Sequence, residues 1–215
     1  MDGGSPPAAG VSYDRSYYEE LRPGSGMARL VDEARDALVA RIVRRGAARS
    51  VLDVGCGRGD LLARLDGLRR SGIEISEAGL GLARARLPDA ELAAGDIQDG
   101  SPLPGPFDAI TAVNVLEHLD RPADGLAALA AVHRRGGILV VHLPVIGTTT
   151  QRWFYAGGYA DDPTHVWRPS GPEARNRIEA AGYRHVRSAF APFVPMGVFR
   201  HVPFHPAWLG VFARR

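Results

Sequence analysis

A glycine-rich turn follows an apolar run near residue 50. The stretch VLDVGCGRGD, residues 51–60, leads from a short buried strand into the start of a helix. Gly55, Gly57 and Gly59 let the backbone turn tightly and approach a ligand closely. The first amides of the following helix then point at that ligand. An ordinary tight turn can carry the same glycines, so other residues must show whether this one binds a ligand.

Two acidic residues provide that support, because each closes one of the next two predicted strands. Glu74 lies about 20 residues after the first glycine, where a carboxylate can accept hydrogen bonds from both hydroxyls of a ribose. Asp96 closes the third strand, where a carboxylate can accept a hydrogen bond from the exocyclic amine of an adenine. The carboxyl ends of parallel strands meet at one edge of a sheet, so the pattern predicts a nucleoside pocket there.

The glycine spacing separates two classes of nucleoside cofactor. Dinucleotide sites favour G-x-G-x-x-G, whereas this turn has Gly55-x-Gly57-x-Gly59 with Asp53 just before it. A carboxylate at that position would repel a pyrophosphate and would attract the cationic amino-acid tail of S-adenosylmethionine. The spacing therefore favours the sulfonium cofactor over NAD.

The elements needed to position these residues alternate along the chain. Continuous apolar runs predict buried strands, and apolar residues at helical spacing predict helices with one apolar face. The predicted helices cover residues 27–45, 60–68, 77–87, 123–135 and 170–181. The predicted strands cover residues 50–54, 72–75, 91–95, 107–115, 138–143, 185–193 and 208–213. This order predicts an α/β fold in one domain, with a parallel sheet covered by helices on both faces.

Three segments fall outside that alternation. Residues 1–12 read as a disordered tail before a domain that covers 13–215. Residues 13–46 hold tyrosines and then a helix, which we expect to act as a lid. Residues 145–169 have no clean period and many aromatic side chains, so we expect a functional loop over the substrate.

Five stretches resemble, in order and spacing, the motifs of class I S-adenosylmethionine-dependent methyltransferases. VLDVGCGRGD resembles the first motif, GIEIS the second and GDIQD the third. FDAITAVNVLEHLDRP and GGILVVHLP resemble the fourth and fifth. The resemblance covers residues 50 to 144 and implies a single Rossmann-like domain. Its sheet would be mostly parallel and seven-stranded, with an antiparallel last strand.

The resemblance also implies which residues hold the cofactor. Gly55 and Gly57 would line the methionine tail, with Asp53 near its amine, and Glu74 would hold the ribose. The full implied set is Tyr18, Asp53, Gly55, Cys56, Gly57, Glu74, Ile75, Asp96, Ile97 and Asn114.

The remaining members of this set have their own implied roles. Ile75 would lie against the adenine, and Asp96 with Ile97 would flank it. Asn114 would lie by the methionine end, and Tyr18 would belong to a tyrosine lid with Tyr13 and Tyr17. A tyrosine face beside a sulfonium gives a cation–π contact of about 1 kcal/mol.

Methylation of a hydroxyl needs a base, and three histidines are candidates. His165 follows Asp161 and Asp162 in the aromatic loop, where an acidic neighbour can raise its basicity. His142 ends the fifth strand, and His118 follows the fourth. We expect His165 or His142 to be catalytic. Tyr17, His118, Trp153 and Tyr159 are the predicted contacts to the substrate.

Composition excludes several other chemistries. All 26 basic residues are arginine, which rules out Schiff-base and phosphate-loop lysines. The single cysteine excludes an internal disulfide and a cysteine-cluster metal site, and we expect no metal. The segment after the fourth strand is Asn114-Val-Leu-Glu-His rather than the Pro-Pro motif of adenine-N6 and glutamine methylases.

The sequence therefore predicts methyl transfer from S-adenosylmethionine to a small molecule, more on oxygen than on nitrogen, in bacterial specialised metabolism. The alternatives are an RNA or protein methyltransferase and a non-catalytic cofactor-binding scaffold. The net charge of +2 and the scattered arginine pairs give no nucleic-acid footprint. The longest apolar run is too short for a membrane span, so we expect a cytoplasmic monomer or homodimer.

Overall fold

The structure is a computed structural model that describes residues 26–156, 162, 164–191, 202–203 and 205–215. The predicted tail, residues 13–25 of the predicted lid and two predicted substrate contacts lie outside these residues. The tyrosines concerned are Tyr13, Tyr17, Tyr18 and Tyr159.

Helices and strands alternate through the described chain. The helices are α1 Gly26–Arg45, α2 Asp60–Ala63, α3 Glu77–Arg86, α4 Pro122–Val132, α5 Thr149–Ala156 and α6 Gly171–Ala180, with short 3₁₀ turns at Ile97–Asp99 and Leu116–His118. The strands are β1 Ser50–Val54, β2 Arg69–Glu74, β3 Glu91–Ala94, β4 Phe107–Val113, β5 His133–Pro144, β6 Tyr183–Phe190 and β7 Ala207–Arg214.

The seven strands form one sheet in the order β3-β2-β1-β4-β5-β7-β6. Strands β1 to β5 run parallel to one another, and β7 runs antiparallel to both β5 and β6. The strand order reverses between β1 and β4, which leaves a crevice at their carboxyl ends. The predicted fold class, strand number and antiparallel last strand are confirmed.

The core lies on both faces of the sheet, as the continuous apolar strands predict. One face buries Leu52 and Ile110 under α4, and the other buries Val51 under Val39 and Val43 of α1. Because both faces are covered, the crevice edge is the part of the sheet open to a ligand.

Several predicted boundaries were wrong: the helix predicted over residues 60–68 ends at Ala63, and the strand predicted over 138–143 already begins at His133. Two further differences have clear local reasons. The helix predicted over residues 123–135 ends at Val132, because Gly136 adopts a φ of 79° and His133 already pairs with Phe107 of the neighbouring strand. The segment 145–169 is not all loop, since α5 lies within it. Thr148 and Gln151 cap that helix reciprocally, with each side-chain oxygen accepting the other residue's backbone N–H.

Within the described ranges, the helices all lack the length or the apolar character that crossing a bilayer requires.

Candidate cofactor and acceptor site

The glycine turn that follows β1 has a left-handed backbone conformation, which favours glycine. Gly55 and Gly57 have φ values of 67° and 52°. A Cβ on Gly55 would lie 2.5 Å from a methyl group of Val115. The backbone N–H groups of Gly55 and Cys56 both donate to the carbonyl of Ile73, at 2.8 and 3.1 Å. The turn is therefore tied to the end of β2 and needs glycine where β4 comes close.

Cys56 lies inside this turn as a packing residue. Its side chain is buried, and its Sγ lies 2.8 Å from the place where a Cβ on Gly72 would stand. Burial raises the pKa of the thiol strongly, so the reactive thiolate is disfavoured. The structure gives Cys56 the role of a small residue that fits beneath the turn.

Glu74 connects the glycine turn to the start of α3. Its side chain is buried, with Oε2 accepting the N–H of Gly57 at 2.7 Å and Oε1 accepting the N–H of Ser76 at 3.0 Å. Hydrogen bonds to a charged group are stronger than neutral ones. The carboxylate therefore orders both segments that flank the expected ribose position.

A cleft opens beside Glu74, with a volume of about 460 Å³. It is lined by residues that follow β2 and β3, namely Ile75, Gly95, Asp96, Asp99, Gly100, Ser101 and Pro102. Ile75 is 48% exposed, so its apolar side chain is open to a ligand in this cleft. Asp96 accepts hydrogen bonds from the backbone and side chain of Gln98 at 2.9 and 3.0 Å. Ile97 is buried in the core, so its side chain does not face the cleft.

The side chain of Asp53 is buried within the sheet. It is 3% exposed and accepts a hydrogen bond from the hydroxyl of Thr111 at 2.7 Å. Burial raises the pKa of Asp53 to about 7. A cationic group placed near it would favour the ionised form.

Asn114 and His142 join the ends of two adjacent strands. Asn114 is exposed and has a φ of 54°, and its backbone N–H donates to the carbonyl of His142 at 2.8 Å. Nδ1 of His142 lies 2.7 Å from Oδ1 of Asn114. Burial lowers the pKa of His142 to about 3, so the ring is neutral and Nδ1 carries the donated hydrogen.

A second group of titratable side chains lies beyond these strand ends. Glu117, His118 and His165 each place one potential ligand atom within 4.8 Å of the other two. The rings of His118 and His165 have centroids 4.9 Å apart. Glu117 is 1% exposed, and burial raises its pKa to about 8. Below, these three residues are called the Glu-His-His cluster.

Hydrogen bonds between distant segments hold this cluster together. The backbone N–H of Trp167 donates to the carbonyl of Glu117 at 2.9 Å. Nδ1 of His118 lies 2.8 Å from the hydroxyl and 3.2 Å from the carbonyl of Thr164. Nδ1 of His165 lies 2.9 Å from the hydroxyl of Tyr155. The segment around His165 is thereby fixed against the 3₁₀ turn after β4.

Trp153 is placed differently from the clustered histidines. It is 72% exposed on α5 and meets Phe154 edge-on, with ring centroids 4.9 Å apart. The structure therefore brings together Glu74, Ile75 and Asp96 on one side and His118 with His165 on the other. Trp153 is largely exposed and belongs to neither group.

Glu117 is the residue that the sequence interpretation missed. The sequence interpretation took His118 as a candidate base and substrate contact but gave its neighbour Glu117 no role. The available signal was a carboxylate beside a histidine, with the Asp-x-Thr-His stretch that ends at His165 much later in the chain. Nothing in the spacing showed that these two segments meet.

Comparison with known proteins places the chain in a family. A family model described as a methyltransferase domain matches residues 24–188. A Mycolicibacterium smegmatis protein described as a probable S-adenosylmethionine-dependent methyltransferase is 30% identical over 155 residues, covering 69% of this chain and 57% of that protein. The ubiquinone biosynthesis O-methyltransferase of Thiobacillus denitrificans is 38% identical over 99 residues, which is 42% of each chain.

The chain thus spans about half the length of these curated relatives. The fold is also that of magnesium protoporphyrin IX methyltransferase from Synechocystis PCC 6803, solved with bound SAH. The two structures superpose with a TM-score of 0.69 at 16% identity, over 94% of this chain and 96% of that one. The chain belongs to the class I S-adenosylmethionine-dependent methyltransferases.

Proposed function

We propose that the protein transfers a methyl group from S-adenosylmethionine to a hydroxyl oxygen of a small molecule. The observation that carries the proposal is the placement of two sites on one sheet edge. The cleft beside Glu74 can take a nucleoside, and the Glu-His-His cluster lies beyond the neighbouring ends of β4 and β5. A cofactor in the first site would direct its methyl group toward an acceptor at the second.

The cleft residues fit the adenosine part of the cofactor. Ile75 offers an exposed apolar surface for a planar base, and the Asp96 carboxylate can accept from an exocyclic amine. Glu74 is already aligned by two backbone N–H groups at the end of β2. Gly55 keeps the turn free of a side chain that would meet Val115. The cofactor, when bound, supplies an electrophilic methyl group on a sulfonium.

The protein's own residues would bind and orient the acceptor. Asn114 is exposed at the end of β4, and His142 holds its side-chain oxygen. An amide held in this way keeps one rotamer, which supports a fixed reaction geometry. In the transfer the acceptor oxygen bonds to the methyl carbon, the carbon–sulfur bond breaks with its electron pair left on sulfur, and the hydroxyl proton passes by way of a base on the acceptor side to solvent.

Of the two histidines predicted to be catalytic, His165 is the better suited to prepare that hydroxyl. The ring of His142 is buried, has a pKa of about 3 and is already bonded through Nδ1 to Asn114. His165 belongs to the Glu-His-His cluster and has Oδ2 of Asp162 at 3.7 Å from its Nε2. We assign His165 to the acceptor side and His142 to positioning Asn114.

The names of two similar proteins support a small-molecule acceptor, and one of these names also supports oxygen as the accepting atom. The Thiobacillus relative is named an O-methyltransferase of ubiquinone biosynthesis, and the Synechocystis structure is a magnesium protoporphyrin IX methyltransferase.

The lone cysteine is typical of a reducing compartment, which supports a cytoplasmic location.

The proposal is tested by calorimetry with S-adenosylhomocysteine and by transfer of a ¹³C-labelled methyl group. Wild-type protein should bind the cofactor product, and Asp96→Ala should bind it more weakly. The matched control Asp66→Ala removes an exposed carboxylate that pairs with Arg44 and should bind normally. Labelled products from a panel of phenols, hydroxy acids and amines should carry the label on oxygen.

Two results would contradict this function. Failure of wild-type protein to bind S-adenosylhomocysteine would remove the cofactor assignment. Label found only on nitrogen across the panel would replace oxygen as the accepting atom.

A further inference from the structure

We propose that the Glu-His-His cluster is a binding site for one first-row divalent metal ion, with Glu117, His118 and His165 as its protein ligands. One candidate ligand atom of each residue, a carboxylate oxygen or a ring nitrogen, lies within 4.8 Å of the other two. Around a tetrahedral ion with bonds of about 2.1 Å, ligand atoms stand about 3.4 Å apart. Small side-chain rotations at these three residues would bring the ligand atoms to that spacing.

The state of Glu117 is the strongest argument. Its side chain is 1% exposed, and neither carboxylate oxygen has a hydrogen-bond partner within the part of the chain that the structure describes. Burying a polar group without a partner is costly, and burying an unpaired charge costs much more. Buried carboxylates are therefore normally paired or bound to a metal. A cation held among these side chains would satisfy both oxygens.

The hydrogen bonds around His118 orient its ring for a metal ion. Nδ1 donates to the oxygens of Thr164, which makes Nε2 the nitrogen that carries a lone pair. The hydroxyl of Thr164 donates in turn to Oδ1 of Asp162. Metal-bound histidines usually have their second nitrogen held by such an oxygen partner, which selects the tautomer and the ring orientation.

His165 is held in a similar way. Its Nδ1 bonds to the hydroxyl of Tyr155, which directs Nε2 to the ligand role. Oδ2 of Asp162 lies 3.7 Å from that Nε2 and adds negative charge at the rim of the cluster. Both histidines thus use Nδ1 for an oxygen partner.

The ligand types indicate the class of ion. Two imidazoles and one carboxylate suit Zn²⁺, Fe²⁺ or a similar transition metal better than Mg²⁺ or Ca²⁺, which prefer oxygen ligands. Three protein ligands leave at least one coordination position open, as in catalytic rather than structural zinc sites. This assignment departs from our expectation of no metal.

The inference rests on the proposed function for the position of the acceptor, and it deepens that function. An acceptor hydroxyl in the open position would lose its proton to solvent more readily, because a bound cation stabilises the oxyanion. His165 would then act as a metal ligand on the acceptor side. Acceptors with a hydroxyl beside a second oxygen, able to chelate the ion, would be preferred.

The experiment is metal binding by protein prepared without a polyhistidine tag and stripped with a chelator. Zn²⁺ is titrated by calorimetry, and Co²⁺ is titrated while its visible d–d absorption is followed. Wild-type protein should take up one equivalent of either ion, and Zn²⁺ should raise its thermal unfolding midpoint.

Two variants and one control locate the site. Glu117→Gln and His165→Asn should each weaken binding by at least about 10–100-fold, which is the loss produced even by removing supporting contacts. His185→Asn removes a half-buried histidine on β6, which pairs with Phe212 near the opposite edge of the sheet. This control should bind one equivalent with unchanged affinity. Circular dichroism checks that each variant is folded, and either cluster variant alone suffices for the comparison.

The site assignment is wrong if wild-type protein shows no saturable uptake of one equivalent. It is also wrong if a folded cluster variant binds as tightly as the His185→Asn control, because the ion would then be adventitious. The proposed function is judged separately by S-adenosylhomocysteine binding. Cofactor binding without metal binding would remove only the metal site, and metal binding without cofactor binding would remove only the methyl transfer.

Discussion

His142 donates its Nδ1–H to Oδ1 of Asn114 across 2.7 Å, and this bond ties the carboxyl ends of β4 and β5 together. The backbone N–H of Asn114 returns a bond to the carbonyl of His142. Asn114 holds a φ of 54° at this point, in a region that asparagine tolerates better than most residues. The pair therefore sets the backbone and the side chain where the proposed cofactor site meets the proposed acceptor site.

Asn114→Ala should lower the free energy of unfolding by about 1–3 kcal/mol, because a buried ring N–H loses its acceptor. Urea denaturation of wild type and variant measures the difference. The control Asn176→Ala changes an exposed residue of α6 and should stay within about 0.5 kcal/mol of wild type. Equal stability of Asn114→Ala and wild type would show that this bond contributes nothing.

Glu74→Gln should raise the Kd for S-adenosylhomocysteine by roughly 10–100-fold. The amide would direct an NH₂ group at the N–H of either Gly57 or Ser76, so one of the two bonds that order the cleft would be replaced by a donor–donor contact. Calorimetry measures the affinity. Glu91→Gln makes the same change at a half-exposed site on β3 and should bind like wild type, and an unaltered Kd in Glu74→Gln would contradict the role of Glu74.

Gly55→Ala should destabilise the protein by about 1–3 kcal/mol and weaken cofactor binding. Its φ of 67° disfavours a side chain, and the new Cβ would lie 2.5 Å from Val115. Gly81→Ala is the matched control, because it lies exposed in α3 with no atom within 4 Å of the added Cβ. That control should be more stable than wild type by about 0.5–1 kcal/mol, because alanine has a higher helix propensity than glycine. Thermal unfolding compares the two, and a neutral Gly55→Ala would show that the turn tolerates a side chain.

His133 should make the protein less stable in mild acid. Burial lowers the pKa of its ring to about 4 in the folded state, against about 6.5 in an unfolded chain. The folded state then binds fewer protons between these values, so its stability is present above pH 6.5 and is lost as the pH falls toward 4. The expected loss attributable to this ring is about 3 kcal/mol.

The measurement is urea denaturation at pH 7 and pH 4.5 for wild type and His133→Gln. The variant should lose about 2–3 kcal/mol less than wild type over this interval. His185→Gln changes a half-buried histidine and should alter the pH dependence much less. An identical pH dependence in wild type and His133→Gln would show that the ring is protonated at no extra cost in the folded protein.

The proposed cofactor side of the site could be predicted from the sequence, because each of its residues lies at the end of a strand that the local pattern identifies. Glu74 and Asp96 each follow an apolar strand, and the glycine turn follows β1, so local pattern placed them at one sheet edge. The burial of Ile97 and the depth of Asp53 could not be anticipated in this way, since the side-chain direction depends on which helix packs above. The cap of α5 was present in the sequence as Thr148 and Gln151, but the aromatic residues around it obscured the helix.

The amino-acid sequence alone determined the alternating α/β order, the parallel sheet and the sheet edge at which the candidate cofactor residues gather, because strand and helix periods and glycine turns are local properties. Tertiary structure alone decided that Glu117 and His118 meet His165. His118 and Thr164 are 46 residues apart, and the intervening chain has to fold back before their side chains can bond. Which distant segments pack together depends on the whole core, so no local spacing encodes that meeting.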